Sequence, residues 1–337
     1  MKKLIFILLL VAPSFAGAAA TTSADYLRIF YYRDGPRALA SFLKHPQSID
    51  VLAPQSYTFN SEGALEGKIS PDILAVAQAR GIKVMPLITN KGFSQQSFKN
   101  LLDDESKQTP AIQALVDEAV KNKFWGWQVD FEQMDLSYRD KFSAFIKKLS
   151  EALQKNGLVA SVAVIAQVSE NPNDYPKDLW QRIIGVYDYR ALASSADFIS
   201  VMAYDDPISR GPVARYSWLK QVLAHSLRSI PAAKLSLGIP LYYWKWNMLT
   251  IKRVETGGNQ GIQHVLTKRK FTRGYSSEHE APYLFFRANG NYYTVWYENA
   301  RSIKKKLELI TTNGLHGFSA WALGLEVPEV HEAVKRI

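Results

Sequence analysis

Residues 126–132 read Gly-Trp-Gln-Val-Asp-Phe-Glu and place two carboxylates, Asp130 and Glu132, two residues apart in an apolar run. Side chains alternate between the two faces of a strand, so Gln128, Asp130 and Glu132 are expected to share one face. Two acids roughly 6 to 7 Å apart along a strand repel each other when both are ionised, which favours protonation of one of them. The arrangement suits general acid catalysis, although an acidic strand end at the surface gives the same pattern.

The pattern around this strand repeats along the chain. Apolar, β-rich runs alternate with amphipathic segments, several of which end at a glycine such as Gly81, Gly157 or Gly314. Strands are predicted near residues 27–32, 49–57, 82–89, 124–132, 158–166, 197–204, 234–243 and 315–322. Helices are predicted near residues 36–45, 70–80, 95–122, 139–156, 175–195, 217–229, 298–313 and 328–336. A series of strands, each followed by a helix, predicts an α/β fold of the closed (β/α)8 TIM-barrel type.

One interval interrupts the alternation, between the seventh strand and the helix near residue 298. It contains strand-like runs at 283–287 and 292–296, joined by Ala-Asn-Gly-Asn at 288–291. An Asn-Gly pair between two such runs predicts a β-hairpin. We therefore expect a small α+β subdomain, at about residues 247–297, inserted at the C-terminal rim of the barrel.

The N-terminus predicts export. Lys2 and Lys3 precede an apolar run at 4–12 and a region of small residues at 14–20, which is the pattern of a signal peptide. We therefore expect residues 1–20 to be a leader, 21–337 to form the barrel, and the protein to be periplasmic or secreted. The apolar run is short for a membrane span and no comparable run follows it. The chain has no cysteine, which excludes a disulfide and a lipidated N-terminal Cys.

The net charge of +10 favours association with an anionic envelope polymer. Nucleic-acid binding is the competing explanation, but the basic clusters at 268–270 and 304–306 are short and are expected to be solvated. We therefore expect no nucleic-acid partner. The histidines are scattered without metal-ligand spacing, so neither a metal nor another cofactor is expected. We expect a monomer.

The ends of the later strands carry further polar and aromatic side chains. Residues 202–206 read Met-Ala-Tyr-Asp-Asp, residues 242–247 read Tyr-Tyr-Trp-Lys-Trp-Asn, and residues 319–321 read Ser-Ala-Trp. In a barrel of this kind the C-terminal strand ends meet at one rim. Indole faces together with hydroxyls and carboxylates are typical of a sugar-binding cleft. Each aromatic residue alone is more often part of a core.

These segments resemble glycoside hydrolase family 18, the chitinase family, over the full length of the barrel. Residues 124–132 are similar to its fourth-strand signature, which in outline ends with Asp, a hydrophobic residue, Asp, any residue and Glu. Residues 202–205 are similar to its Met-x-Tyr-Asp motif, and Trp321 to its eighth-strand tryptophan. Residues 281–283 and 295–303 look like the insertion and following helix of the spore-germination, cortex-lytic branch.

The resemblance implies a substrate-assisted mechanism and a role for each matching residue. Glu132 is implied to be the general acid and later the base that activates water. Asp130 is implied to orient the substrate's 2-acetamido group, whose carbonyl oxygen is the nucleophile. Tyr204 is implied to donate a hydrogen bond to that oxygen, and Asp205 and Trp321 to contact the same subsite.

Further substrate contacts are expected from side chains near the same rim. The candidates are Gln128, Met202, Trp244, Trp246 and Trp296. For Trp244 and Trp246 the alternative is packing under the insertion, and for Trp321 the alternative is filling the interior of the barrel.

Two positions depart from the family signature, since Trp125 and Gln128 stand where its first two acids are expected. Gln128 cannot share a proton with Asp130, but it could hydrogen-bond that residue from the same face. We therefore expect activity to survive, with Asp130 ionised over a wider pH range.

The sequence thus predicts an exported glycoside hydrolase that cleaves β-linked N-acetylglucosamine polymers with retention of configuration. Peptidoglycan is the leading substrate, and chitin oligomers and glycoprotein N-glycans remain open. A catalytically silent, lectin-like barrel is the alternative, because the signature is altered at Trp125 and Gln128. A scaffold that makes protein contacts at the envelope is a third interpretation.

Overall fold

The computed structural model describes residues 26–335, so the predicted leader lies outside the described residues. The strands are β1 (Leu27–Tyr32), β2 (Val51–Phe59), β3 (Leu65–Gly67), β4 (Lys83–Val84), β5 (Leu87–Asn90), β6 (Gly126–Asp130), β7 (Val159–Ile165), β8 (Phe198–Met202), β9 (Leu235–Pro240), β10 (Tyr243–Asn247), β11 (Lys252–Gly257), β12 (Phe271–Ser276), β13 (Ala281–Ala288), β14 (Asn291–Trp296) and β15 (Gly317–Trp321). The helices are α1 (Pro36–Lys44), α2 (Pro71–Ala79), α3 (Gln95–Asp103), α4 (Glu105–Asn122), α5 (Arg139–Lys155), α6 (Tyr189–Ser195), α7 (Tyr216–Ser226), α8 (Asn259–Lys268), α9 (Ala300–Thr312) and α10 (Glu329–Val334).

The parallel strands close into a barrel, which confirms the predicted fold class. Their order around the barrel is β1, β2, β5, β6, β7, β8, β9 and β15, and β15 pairs with β1 to complete the ring. The short strand β4 pairs with β2 just before β5, so the two together form the third strand of the barrel. At least one helix follows each barrel strand, with the insertion between β9 and α9.

The fourth barrel strand, β6, is buried on both faces, because helices cover its outer face and other strands surround its inner face. Trp127 donates from its indole N–H to the carbonyl of Leu115 in α4, at 2.8 Å. Phe131 packs against Phe145 of α5 with ring centroids 6.2 Å apart. At Gly126 an added Cβ would lie 1.9 Å from the Val159 carbonyl oxygen, so the close approach of β7 requires glycine there.

The insertion is an antiparallel sheet in the order β11, β10, β14, β13, β12, together with α8. This confirms a small α+β insertion between the seventh barrel strand and the following helix. The predicted hairpin joins β13 to β14, and Asn289 and Gly290 in its turn have φ of 48° and 76°. Two positive φ angles are what a two-residue hairpin turn of this kind needs, and Asn-Gly adopts them readily. The sheet begins at Tyr243, a few residues before the predicted start of the insertion.

Two helix predictions are wrong in detail. Residues 175–195 form no single helix: a short π-helical turn covers Trp180–Ile184, and α6 begins only at Tyr189, where Asp188 accepts a hydrogen bond from the N–H of Ala191. Residues 95–122 form two helices, because Asp104 caps the start of α4 by accepting from the N–H of Ser106. Such side-chain caps compete with continuation of a helix.

The predicted solvated face at residues 304–306 is wrong for Lys306. This side chain is fully buried, and its Nζ donates to Oε2 of Glu298 at 2.8 Å. Lys306 lies on the same helical face as the buried residues Ile303 and Ile310, so its position in α9 turns it inward. The neighbouring Lys305 pairs instead with Glu308 at the surface.

Among residues 26–335, no helix combines the length and the apolar character needed to cross a bilayer.

Candidate active site

The carboxyl groups of Asp130 and Glu132 lie at the C-terminal end of β6 and line the same cavity. Asp130 is buried, and within residues 26–335 its Oδ1 is buried without a hydrogen-bond partner. Glu132 is half-buried two residues beyond the strand end. Its backbone is held by Asn90 at the end of β5, through hydrogen bonds at 3.0 Å to both its N–H and its carbonyl. The structure therefore brings the two predicted acids together at the barrel mouth.

Burial, and to a smaller extent the nearby negative charge of Asp205, raise the pKa of Glu132 to about 7. Burial, and then the charge of Glu132, raise the pKa of Asp130 well above its usual range. A carboxyl with a pKa near neutrality is suited to donate a proton at physiological pH. Burial also favours the protonated form of Asp130 in the free protein, which is the opposite of the ionised state expected from sequence.

Gln128 lies beneath the two acids in the barrel interior and lines neither of the cavities at the mouth. Its Oε1 accepts from the Tyr31 hydroxyl at 2.7 Å, and its Nε2 donates to the hydroxyls of Ser161 and Ser200, each at 2.9 Å. The expected hydrogen bond from Gln128 to Asp130 is therefore wrong, because the amide is already fully engaged elsewhere. Its burial places it below a bound substrate rather than against one.

Trp125 lies at the opposite end of the barrel from the acids. Its ring stacks on Phe198, the first residue of β8, with centroids 6.1 Å apart. The Nζ of Lys83 lies 4.4 Å from the centre of the same ring. The first altered signature position therefore lies away from the cavities, and the substitution there leaves their lining unchanged.

Met202, Tyr204 and Asp205 follow one another at the end of β8 and line the same cavity as the two acids. Burial raises the pKa of Tyr204, which keeps its hydroxyl protonated and available as a donor. Asp205 has a φ of 59° and accepts from the Tyr242 hydroxyl at 2.6 Å. Surrounding protein atoms raise the pKa of Asp205 by excluding water, and the bond from Tyr242 partly offsets this.

The predicted tryptophans divide between the mouth and the insertion. Trp321 lines both cavities, and its ring lies 5.2 Å from that of Tyr31. Trp244 and Trp246 line the larger cavity. Trp296 lines neither; it packs in the inserted sheet, 4.8 Å from the Tyr283 ring centroid.

Two adjoining cavities form the mouth. The small cavity, of about 470 Å³, contains Asp130 and Glu132, and the large cavity, of about 1240 Å³, extends from it along β10 and β11 of the insertion. Six residues line both cavities, so they form one continuous cleft: Gln133, Ile183, Asp205, Pro207, Tyr242 and Trp321. An elongated cleft with aromatic walls suits a chain of sugar rings.

Sequence reasoning missed Asn90, Tyr31 and Tyr242. Asn90 and Tyr31 lie at or near the ends of the third and first barrel strands. The rule that reactive groups gather at the C-terminal strand ends, applied to every strand, would have pointed to both. Tyr242 lies in the aromatic run at residues 242–247, but nothing in that run distinguishes the tyrosine that contacts Asp205 from its neighbours.

The fold and this cleft define a class of protein, a (β/α)8 glycosidase with two carboxyl groups at the mouth of its barrel. The sequence profile of the glycosyl hydrolases family 18 matches residues 40–326, and the chain belongs to this family. The predicted family and enzyme class are thereby confirmed.

Several known proteins are similar over most of the chain. The cortical fragment-lytic enzyme of Bacillus subtilis is 26% identical over 291 residues, which cover 83% of this chain and 66% of that protein. The uncharacterized glycosylase YvbX of the same species is 25% identical over 305 residues, covering 88% of this chain and 87% of YvbX. A crystal structure of a chitinase from Chromobacterium violaceum is 29% identical with a TM-score of 0.81, covering 92% of this chain and 98% of that one.

Proposed function

We propose that this protein is an exported hydrolase that cleaves β-linked N-acetylglucosamine polymers by a substrate-assisted, retaining mechanism, with peptidoglycan as its substrate. The observation that carries the proposal is the grouping of Asp130, Glu132, Tyr204 and Trp321 around one cavity. The net charge of +10 and the similarity to cortical fragment-lytic enzymes support an anionic envelope glycan over chitin. The N-terminal sequence supports export.

In this proposal Glu132 protonates the leaving glycosidic oxygen. Its pKa of about 7 leaves a large protonated fraction at neutral pH. The carbonyl oxygen of the substrate's 2-acetamido group attacks the anomeric carbon as the leaving group departs, which gives an oxazolinium intermediate. Glu132, now ionised, then takes a proton from water as that water attacks the same carbon. Two displacements at one carbon retain the configuration.

Asp130 and Tyr204 act on the acetamido group. The Tyr204 hydroxyl remains protonated because burial raises its pKa, so it can donate to the acetamido carbonyl. Positive charge that develops on the oxazolinium ring attracts a negative carboxylate, which favours the ionised form of Asp130 at that stage. The protonation state of Asp130 thus differs between the free protein and the intermediate.

A silent, lectin-like barrel is the second candidate, because Gln128 stands where the family signature has an acid. The two functions differ in what Glu132 does. A binder needs only the shape and polarity of the cleft, and Gln at position 132 preserves both. A hydrolase needs the acidic proton of the Glu132 carboxyl group, which a Gln amide does not supply.

The test compares wild type with Glu132→Gln on purified peptidoglycan, chitin oligomers and an N-glycan, with products identified by mass. We expect release of fragments from peptidoglycan ending in a reducing N-acetylglucosamine, and a loss of about 10²- to 10⁴-fold in the variant, the usual contribution of a general acid. Glu308→Gln, at an exposed position on α9, is the matched control and should keep full activity. Equal release by wild type and Glu132→Gln would refute the mechanism, whereas binding of peptidoglycan without release by wild type would favour the lectin-like function.

A further inference from the structure

The large cavity has a strongly cationic wall. Four basic side chains line it, contributed by the loop after β1, the loop after β8 and the strand β11, and all four are exposed: Arg33, Arg210, Lys252 and Arg253. We name these four residues the basic wall. Its members come from three separate parts of the sequence, so the charge is gathered by the fold rather than by a local run.

Within residues 26–335 no carboxylate lies within ion-pairing distance of any residue of the basic wall. Two acids line the same cavity, and the charge of Arg253 reaches one of them, Asp205, whose pKa it lowers. Asp206 is buried and pairs with Arg215, and Asp205 accepts the hydrogen bond from Tyr242. The cavity therefore presents a net positive charge to whatever enters it.

Aromatic rings restrain two of these cations. The guanidinium carbon of Arg253 lies 4.3 Å from the Trp244 ring centre, and that of Arg210 lies 6.0 Å from the Trp246 ring centre. Both tryptophans are buried, and Trp246 is fixed by donating its indole N–H to the Gly211 carbonyl at 2.7 Å. A guanidinium over an aromatic face presents the N–H groups at its edge, which match a carboxylate in geometry. One of those of Arg210 also donates to the Ser209 carbonyl at 3.4 Å.

We propose that the basic wall is a subsite for a carboxylate-bearing sugar, such as an N-acetylmuramic acid residue with a free lactyl group, next to the cleaved bond. The proposal rests on the proposed function and narrows its substrate to a glycan in which neutral and acidic sugars alternate. A neutral N-acetylglucosamine chain would leave these cations with Asp205, whose pKa the charge of Arg253 lowers, as their only nearby unpaired acid among the described residues that line the cavity. A glycan with a carboxylate on alternate sugars places one beside the wall whenever an N-acetylglucosamine residue occupies the small cavity.

The test uses one alternating oligosaccharide in two forms, with its lactyl carboxylates free and as methyl esters. The esters remove the charge and little else. For wild type at low salt we expect kcat/KM for the acid to exceed that for the ester by about tenfold or more, as one charge-assisted hydrogen bond would give. In the double variant Arg210→Gln with Lys252→Gln this ratio should fall towards one. These side chains are exposed, so the variant should fold, which thermal unfolding would verify.

Arg287→Gln is the matched control, because Arg287 is an exposed arginine near an aromatic ring, Tyr292, on the inserted sheet and outside the cleft. It should leave the ratio of acid to ester unchanged. A wild-type ratio near one, with both forms cleaved, would overturn the basic wall while leaving the proposed function intact. If wild type cleaves neither form, the proposed function fails. In that case titration calorimetry of the two forms tests whether the basic wall is a carboxylate subsite, because equal affinities for the acid and the ester would overturn that proposal.

Discussion

Asn90 and Glu132 hold each other through two reciprocal hydrogen bonds. Nδ2 of Asn90 donates to the carbonyl oxygen of Glu132, and the N–H of Glu132 donates to Oδ1 of Asn90, each at 3.0 Å. Asn90 is fully buried at the end of β5 and lines neither cavity. It therefore fixes the backbone from which the acid projects without contacting a substrate.

Asn90→Ala should lower kcat by about 10- to 100-fold with little change in KM, because a small displacement of a reacting group costs up to about 10²-fold. The measurement is steady-state kinetics on a chromogenic β-N-acetylglucosamine oligosaccharide, with thermal unfolding in parallel. Asn156→Ala removes an amide that bonds only to a carbonyl at the exposed end of α5, and serves as the control. A folded Asn90→Ala variant with unchanged kcat would contradict the positioning role.

The pH dependence of kcat/KM should report the protonation of Glu132 directly. In the proposed mechanism the group acts in its protonated form, so kcat/KM should be level below its pKa of about 7 and fall about tenfold per pH unit above it. The negative charge of Asp205 contributes to that raised pKa. Asp205→Asn removes the charge, so the pKa of Glu132 should fall and the descending limb should move to lower pH.

Asp117→Asn is the matched control for this shift, because Asp117 is an exposed aspartate on α4, outside the cleft. Its profile should superimpose on that of wild type. Asp205 also accepts a hydrogen bond from Tyr242, so the readout is the pH at which the limb falls and not the height of the profile. A limb that stays in place in Asp205→Asn would show that the two carboxyl groups do not interact.

Much of this site could be predicted from the sequence because the alternation of side chains along a strand indicates which residues share a face. The apolar alternation at residues 126–132 places Asp130 and Glu132 on one face, and the motif at 202–205 places Tyr204 beside them. The partners of Gln128 could not be predicted in the same way. Tyr31, Ser161 and Ser200 come from three other strands, and closure of the barrel, which no local pattern specifies, brings them to one amide.

The burial of Lys306 was not predicted, although the sequence contains the pattern that indicates it. A run of three lysines indicates a solvated surface when charge alone is considered. The helical period, however, places residue 306 with Ile303 and Ile310 on the inward face of α9. Periodicity and charge made conflicting predictions there, and the buried Glu298 resolves the conflict by pairing with the lysine.

Gln128→Asp tests the amide beneath the acids. The carboxylate cannot donate to Ser161 or Ser200, and it adds a second buried acid on the face of Asp130. A buried acid has a raised pKa in the folded state, so its penalty grows as pH rises above the unfolded value of about 3.9. We expect a loss of about 1 to 3 kcal/mol in unfolding free energy at pH 7, and a smaller loss at pH 5, by urea titration. Gln263→Asp at an exposed position of α8 should change stability by less than about 0.5 kcal/mol at either pH. An equal loss at both pH values would mean that the new carboxyl is not buried.

The last prediction concerns the ion pair between Glu298 and Lys306, both of which are buried. Glu298→Ala leaves the ammonium group without its partner in the interior, and such a loss costs about 3 to 5 kcal/mol. The matched control is Glu308→Ala, which removes the exposed partner of Lys305 on the same helix and should cost less than about 1 kcal/mol. The double variant Glu298→Ala with Lys306→Met removes both charges and should regain part of the stability, because an apolar side chain of similar length fills the site. Urea unfolding of the four proteins, wild type included, measures these differences, and equal losses for the two single variants would show that burial of the Glu298 pair does not decide its contribution.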